Sequence, residues 1–244
     1  MALRSRQRAF EMLRGNPCES YKSLPNFLYM LGTTNPGSAI DTQLREDNTI
    51  LYVFTALKVL IKGRKYCKPI IVVDCTFLKA TLGGTLLVVT AEDAVGKLFA
   101  LAFSVVDSEN DASRKYFFTK LKQAFGIRQG SCIVSDRHLN IESVVKKIYP
   151  EATHAAKAYT ESEFEYHIRV GQLRSIVHAR ELPITTLLMH IHDLQQEYSY
   201  KHRKIEMDTV TTITKNHEDL LFQNYINSLK LQVKPSTHDI ITVL

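Results

Sequence analysis

Pro69-Ile70-Ile71-Val72-Val73-Asp74 is a short, β-branched apolar run that closes on a carboxylate, and Ser131-Cys132-Ile133-Val134-Ser135-Asp136 repeats the pattern further along the chain. Each run is too short for a helix and carries the residue types of a buried strand. Gly84 to Thr90 and Lys97 to Val106 form two more apolar runs between them, joined by a hairpin turn at Asp93 to Gly96. Ala112 to Phe125 places apolar residues at Tyr116/Phe117, Leu121 and Ala124/Phe125, which is helical spacing. His138 to Tyr149 reads as a second helix. In the order strand, strand, strand, helix, strand, helix, the first three strands can pair as a meander. The fourth is reached across a helix and joins in parallel. The expected fold is α/β, a mixed sheet with flanking helices.

Outward from this block the pattern is mostly helical. Arg4 to Arg14 and Glu19 to Leu31 read as helices, with a break at Pro25 and a stop at Gly32. Asn35-Pro36-Gly37 is a turn signal. Ile50 to Leu57 reads as a strand, and Ala56 to Ile61 turns helical before Gly63. After Pro150, Ala155 to Ala179 and Leu182 to Arg203 read as helix, and one more helix lies near Glu218 to Leu229. The expected organisation is a lead-in of helix and strand over 1–62, a core over 63–155, and a helical remainder over 156–244.

Lys and Arg number 31 against 25 Asp and Glu, a formal charge of +6, which is compatible with a polyanionic partner such as nucleic acid. The four cysteines form no CxxC pair and none has a histidine at zinc-finger spacing, so they read as reduced thiols of an intracellular protein. No apolar run reaches about 18 residues, and no transmembrane helix is expected. Ala2 to Gly15, rich in arginine, reads either as a transit-like segment or as an amphipathic surface helix around Phe10, Met12 and Leu13. Lys201-His202-Arg203-Lys204 is too weak a basic run to set a compartment.

Asp74 and Asp136 carry the candidate chemistry. Two acids converging at one end of a sheet can hold divalent cations through oxygen ligation, and paired metals activate a water or 3′-hydroxyl for phosphodiester chemistry. A strand-end aspartate is equally a turn former or a helix N-cap, and pattern alone leaves both readings open. His190 and His192, beside Asp193, lie two apart on a helix, point to different faces and read as surface histidines. Asp107, Glu109 and Asp111 read as a solvated turn with Asp111 capping the next helix. Lys62, Arg64, Lys65 and Lys68 read as surface cations.

Pro69 through Lys79, continuing through Gly83-Gly84-Thr85-Leu86-Leu87, resembles the first-aspartate motif of the Mutator-like element (MULE) transposases. Phe99 to Phe103 and Val106-Asp107-Ser108-Glu109-Asn110-Asp111-Ala112-Ser113 resemble that family's next block, and Ile133-Val134-Ser135-Asp136-Arg137-His138 its second-aspartate motif. Asn35-Pro36-Gly37, Ala179-Arg180-Glu181-Leu182-Pro183-Ile184 and Val233-Lys234-Pro235 resemble segments on either side. The resemblance implies an RNase H-like fold whose triad of two aspartates and a glutamate uses Mg²⁺ or Mn²⁺ to cut and join DNA. It makes Asp74 the first acid and Asp136 the second, DNA the partner, and the nucleus the compartment.

The chain departs from that family in three ways. His154 is followed by Ala155-Ala156-Lys157-Ala158-Tyr159, with no cysteine or histidine to match the family's Cys/His segment. The third acid is expected shortly before Ala179, yet Val170-Gly171-Gln172-Leu173 offers no carboxylate. Two internal stretches are therefore expected to be missing, with Glu161, Glu163 and Glu165 as the substitute third ligands to weigh. Arg114 stands where the family carries a tryptophan, and neither its N-terminal DNA-binding region nor its C-terminal Cys/His zinc motif is legible. The expected protein is a shortened transposase derivative with two of three acids and little or no transposition activity. The alternatives are a non-catalytic DNA-binding or regulatory protein, or a non-functional gene remnant.

Overall fold

The computed structural model describes residues 15–93, 98–135, 139–156, 179–208, 215–231, 233–235 and 241–243. The helix expected over Arg4 to Arg14 lies outside these residues, as does most of the Asp93–Gly96 turn. In chain order, helix α1 (Pro17–Thr34) leads to strands β1 (Ala39–Leu44) and β2 (Ile50–Ala56) and a short helix α2 (Lys58–Gly63). Strands β3 (Ile70–Phe77), β4 (Thr85–Glu92) and β5 (Leu98–Val106) follow. Then come helix α3 (Asp111–Phe125), strand β6 (Cys132–Ser135), helix α4 (Leu139–Ile148) and strand β7 (Thr153–Ala156). Helices α5 (Ile184–Asp208) and α6 (Lys215–Ser228) precede a small hairpin of β8 (Val233–Pro235) and β9 (Ile241–Val243).

The main sheet has seven strands in the order β1-β2-β5-β4-β3-β6-β7. The meander β3-β4-β5 is antiparallel, as are the pairs β2–β5 and β1–β2. Strand β6 joins β3 in parallel, reached across α3, and β7 joins β6 in parallel across α4. This is the α/β mixed sheet with flanking helices that the sequence implied, extended by the β1–β2 hairpin at one edge.

Four local readings are corrected. Helix α1 runs unbroken through Pro25 and Gly32 to Thr34. Proline removes one intrahelical bond, but Leu24, Leu28 and Leu31 are buried along one face, and the Asn16 side chain caps the start by accepting from the Cys18 and Glu19 amides at 2.9 and 3.2 Å. Strand β1 was not foreseen, because Ala39-Ile40-Asp41-Thr42-Gln43-Leu44 is a half-exposed edge strand with little apolar signal. Residues 155–156, expected to begin a helix, instead pair in β7 with Val134 and Ser135. Asp74 does not end its strand: Cys75, Thr76 and Phe77 continue β3, opposite Leu87, Leu86 and Thr85.

Two apolar layers close the sheet. On one face, Phe117, Phe118 and Leu121 of α3 and Val145 of α4 pack on Phe54, Val73, Val89 and Ile133. Phe54 and Phe117 meet edge-on at 6.3 Å between ring centres, and Phe117 and Phe118 at 5.2 Å. On the other face, Leu24 and Leu28 of α1 join Ile184, Leu187 and Ile191 of α5 over Leu86, Val88 and Phe103. The Thr185 amide donates to Ser20 Oγ at 2.8 Å and clips α5 to α1. Helix α3 is tied to the edge strand at Asp41, which accepts from the Tyr116 hydroxyl at 2.9 Å and from Lys120 Nζ at 2.7 Å. Burial, reinforced by that carboxylate, pushes the Tyr116 phenol upward.

The chain divides into two units, Met1–Tyr200 and Lys201–Leu244. The first holds the sheet with its helices. The second holds the end of α5, helix α6 and the β8–β9 hairpin, whose strands pair antiparallel. Among the described residues, no helix is long and apolar enough to cross a membrane.

Candidate functional site

Strand β3 is flanked by β4 on one side and β6 on the other, which makes it the strand where the antiparallel and parallel halves of the sheet meet. Side chains alternate between faces along a strand. Ile71 and Val73 are buried in the α3/α4 layer, so Val72, Asp74 and Thr76 belong to the opposite face, where α1 and α5 pack. The register agrees: Asp74 lies opposite Val88 and Thr76 opposite Leu86, and both partners belong to the α1/α5 layer. Asp74 is half-buried there.

Strand β6 pairs with β3 through Ile70↔Cys132, Ile71↔Ile133 and Val72↔Val134. Asp136 follows Ser135 in sequence but lies outside the described residues, and so do Glu161, Glu163 and Glu165. Of the five sequence-predicted site residues, Asp74 alone is described. Its carboxylate is a hard oxygen donor of the kind that Mg²⁺ and Mn²⁺ accept. Among the described residues, no group of three or more His, Cys, Asp or Glu side chains is arranged to hold a metal ion.

The other side of β3 carries charge that sequence reading misjudged. Asn110, not Asp111, caps α3: its side chain accepts from the Ser113 amide at 2.9 Å, and its own amide donates to Ser113 Oγ at 3.0 Å. Asp107 accepts from the Ser108 amide at 2.7 Å, as a turn residue does. Glu109 is not part of a solvated turn. It accepts from Arg114 Nη2 at 2.8 Å and from the Cys75 thiol at 3.3 Å. Arg114 is only 4% exposed, and its Nε is buried with no hydrogen-bond partner among the described residues. A small cavity lies between Glu109, Arg114, Cys75 and Ser135. Ser135 is itself buried and hydrogen-bonded to His154 Nε2 at 2.9 Å, which joins β6 to β7 beside the cavity. Burial holds the His154 imidazole below its ordinary pKa, partly offset by Glu142.

Sequence reading also passed over Arg180. Its Nη1 donates to Thr76 Oγ1 at 2.8 Å, and its carbonyl accepts from the Lys79 amide at 2.9 Å. A residue 104 positions away in sequence thus reaches the strand and the face that bear Asp74. Nothing in the local pattern of Ala179-Arg180-Glu181 signals that contact. The histidine pair is half-buried rather than fully at the surface, with His192 Nδ1 3.9 Å from its neighbour Asp193.

Comparison with known proteins bears on this arrangement. Residues 70–159 match the MULE transposase domain, a span that takes in β3 to β7 and both sequence-predicted aspartates. No curated protein matches the chain. Among solved structures, the chain is similar to one in the cryo-EM structure of the simian T-cell lymphotropic virus intasome in complex with PP2A regulatory subunit B56 gamma. That likeness covers 52% of this chain and 50% of that one, at 12% identity and a TM-score of 0.32, so the match spans about half the length of its neighbour. The three motif blocks quoted from the sequence all fall in or at the edge of the matched span, and its strands assemble in the expected order. The β3–β7 part of the chain is similar to a MULE transposase domain.

Proposed function

We propose that this chain engages DNA at the Asp74 face of its sheet and holds a divalent cation there through Asp74 and Asp136, with too few ligands for efficient strand cleavage. The observation that carries this reading is the β3–β6 register. Every pair in it joins residues 62 apart, as Ile70 and Cys132 are, and Asp74 and Asp136 share that spacing. Bound there, Mg²⁺ or Mn²⁺ would supply Lewis-acid activation of a water or 3′-hydroxyl. The protein's own part is to present the Asp74 carboxylate from the central strand β3, with Asp136 next in sequence after β6, and to leave the third position unfilled. An internal deletion ahead of Ala179 accounts for the missing acid. The resemblance to the MULE transposases implies a nuclear protein, and a fluorescent fusion found outside the nucleus would contradict that assignment.

The test is a plasmid-nicking assay with Mn²⁺ or Mg²⁺, run beside a DNA-binding assay and beside Mn²⁺ titration of the wild type and Asp74→Ala. The expected result is DNA binding, weak Mn²⁺ binding that Asp74→Ala removes, and nicking at background. Metal-dependent nicking abolished by Asp136→Ala would overturn the two-acid reading, because a third ligand would have been recruited. Failure of the folded wild type to bind DNA would overturn the DNA reading altogether.

A further inference from the structure

We infer that Arg64 and Arg128, with the Tyr149 hydroxyl, form a site for a phosphate dianion, free or carried as a monoester. The site is independent of the DNA reading and lies away from Asp74. It is a cavity of about 40 Å³, room for about three waters, lined by Arg64 beyond α2 and by the residues that end α3. Ile71 on its wall precedes Asp74 by three residues and so faces the opposite side of β3. Arg64, expected from the sequence to be a surface cation, is only 9% exposed. Its Nη1 donates to the Lys68 carbonyl at 2.7 Å, and Arg128 Nη1 donates to the Cys67 carbonyl at 2.7 Å. Bonds to consecutive carbonyls bring the two guanidiniums together on one wall. The backbone behind each is held as well: the Arg64 carbonyl accepts from the Cys67 amide at 3.2 Å, and the Arg128 carbonyl from the Ser131 amide at 3.0 Å.

Among the described residues, neither guanidinium has a carboxylate partner. The contrast is Arg114, which is also buried but is paired with Glu109 at 2.8 Å. Burial first, and then the neighbouring Arg128 charge, pull the Arg64 pKa down, partly offset by Cys67. An anion held between the two guanidiniums relieves both penalties. The end of α3, at Phe125 and Gly126 on the rim, supplies only about half an elementary charge of the needed sign, too little for two cations. Tyr149 lines the same cavity at 5% exposed, and its hydroxyl has no hydrogen-bond partner among the described residues. Burial pushes that phenol upward, so it stays a neutral donor. The floor of Val89, Leu101, Leu121 and Ile133 is apolar, and no carboxylate lines the cavity. Donors without acceptors select an anion, and a guanidinium fork matches phosphate oxygens. Two cations suit a phosphate, which carries close to two charges, better than a carboxylate, which carries one.

The experiment is isothermal titration calorimetry of the full chain with inorganic phosphate at about pH 8, where the dianion dominates, and at fixed ionic strength. Phenyl phosphate and acetate are titrated in parallel. The expected result is one saturable phosphate site, weakened about tenfold in Arg128→Gln and by a smaller factor in Tyr149→Phe. Arg128 is chosen over the buried Arg64 because its residue is exposed and its loss spares the core. Acetate should bind at least about tenfold more weakly than phosphate. Tighter binding of phenyl phosphate than of the free ion would assign a monoester, and weaker binding the free ion. No saturable phosphate binding by the folded wild type would overturn the inference. An unchanged affinity in both Arg128→Gln and Tyr149→Phe would place the bound ion elsewhere and overturn it too. Acetate binding as tightly as phosphate would overturn the choice of a dianion.

Discussion

The two faces of the central strand β3 differ in what they were selected to do. Val73 and Cys75 look into a layer where Phe117 and Phe118 are almost wholly buried and strands β1 to β6 each contribute an apolar side chain. Asp74 and Thr76, one residue away in each direction, look into a layer where a carboxylate and a hydroxyl interrupt the apolar run and an arginine arrives from distant sequence. Both faces bury an apolar layer, and the first is the one lined by the aromatic rings. The second tolerates polar groups in mid-strand, where β-propensity and burial both argue against them. Proteins accept that cost at sites that bind or react. The lesson is that a strand's period of two lets one backbone serve a core and a site at once, each on its own face.

Substitutions on the aromatic face give the largest expected contrast. Phe117→Ala removes a ring buried against Phe54 and Phe118 and should destabilise by about 3–5 kcal/mol, read from the denaturant midpoint. Asp74→Asn, of similar shape on the opposite face, should shift the same midpoint by less than about 1 kcal/mol. Equal losses for the two would erase the distinction between the faces.

Glu109 tests whether the α3 side is wholly a matter of packing. Glu109→Gln leaves the buried Arg114 guanidinium with only the 3.7 Å contact to the exposed Asp111 carboxylate, at a cost of about 3 kcal/mol. Adding Arg114→Met should restore most of that loss, since a buried ion pair is often no better than an apolar replacement of similar volume. A single variant as stable as the wild type would show the pair to be well solvated, and the face less dry than its 4% exposed arginine implies.

The smallest effect belongs to His154. Its folded pKa lies below the ordinary 6.5 because burial disfavours the imidazolium, so the unfolded chain binds more protons just below that value. Stability therefore rises with pH through this window, is fully present above 6.5, and is lost as pH falls towards the depressed folded value. Thermal melts between pH 5 and about 7 should show a shallower slope in His154→Gln than in wild type. An unchanged slope would place the acid sensitivity elsewhere.

Much of the fold was legible because the strands that matter are short apolar runs with clear breaks. The β3-β4-β5 meander, α3 and β6 came out within a few residues of their observed bounds. The misses share one cause. Strand β1 carries Asp41, Thr42 and Gln43, and β7 is four residues long, so each becomes a strand only by pairing with a neighbour already in place. Helix α1 passes through Pro25 for the same kind of reason, since burial of Leu24, Leu28 and Leu31 outweighs a local preference. Among site residues, the acidic trio before α3 was read as a solvated turn, because nothing local tells Glu109 that a buried arginine lies five residues on.

The amino-acid sequence by itself determined the resemblance to the MULE transposases, the alternation that puts Asp74 on one face, and the 62-residue spacing of the two aspartates, which the β3–β6 pairs share. These are properties of local pattern: residue period, motif order and chain position. Only the tertiary structure decided that Asp74 sits inside β3 rather than at its end, that Glu109 and Arg114 form a charged pair behind the strand, and that Arg180 reaches Thr76. Each of these depends on contacts between groups distant in sequence or on strand pairing. Their free energy comes from desolvation and geometry that exist only once the chain has closed on itself.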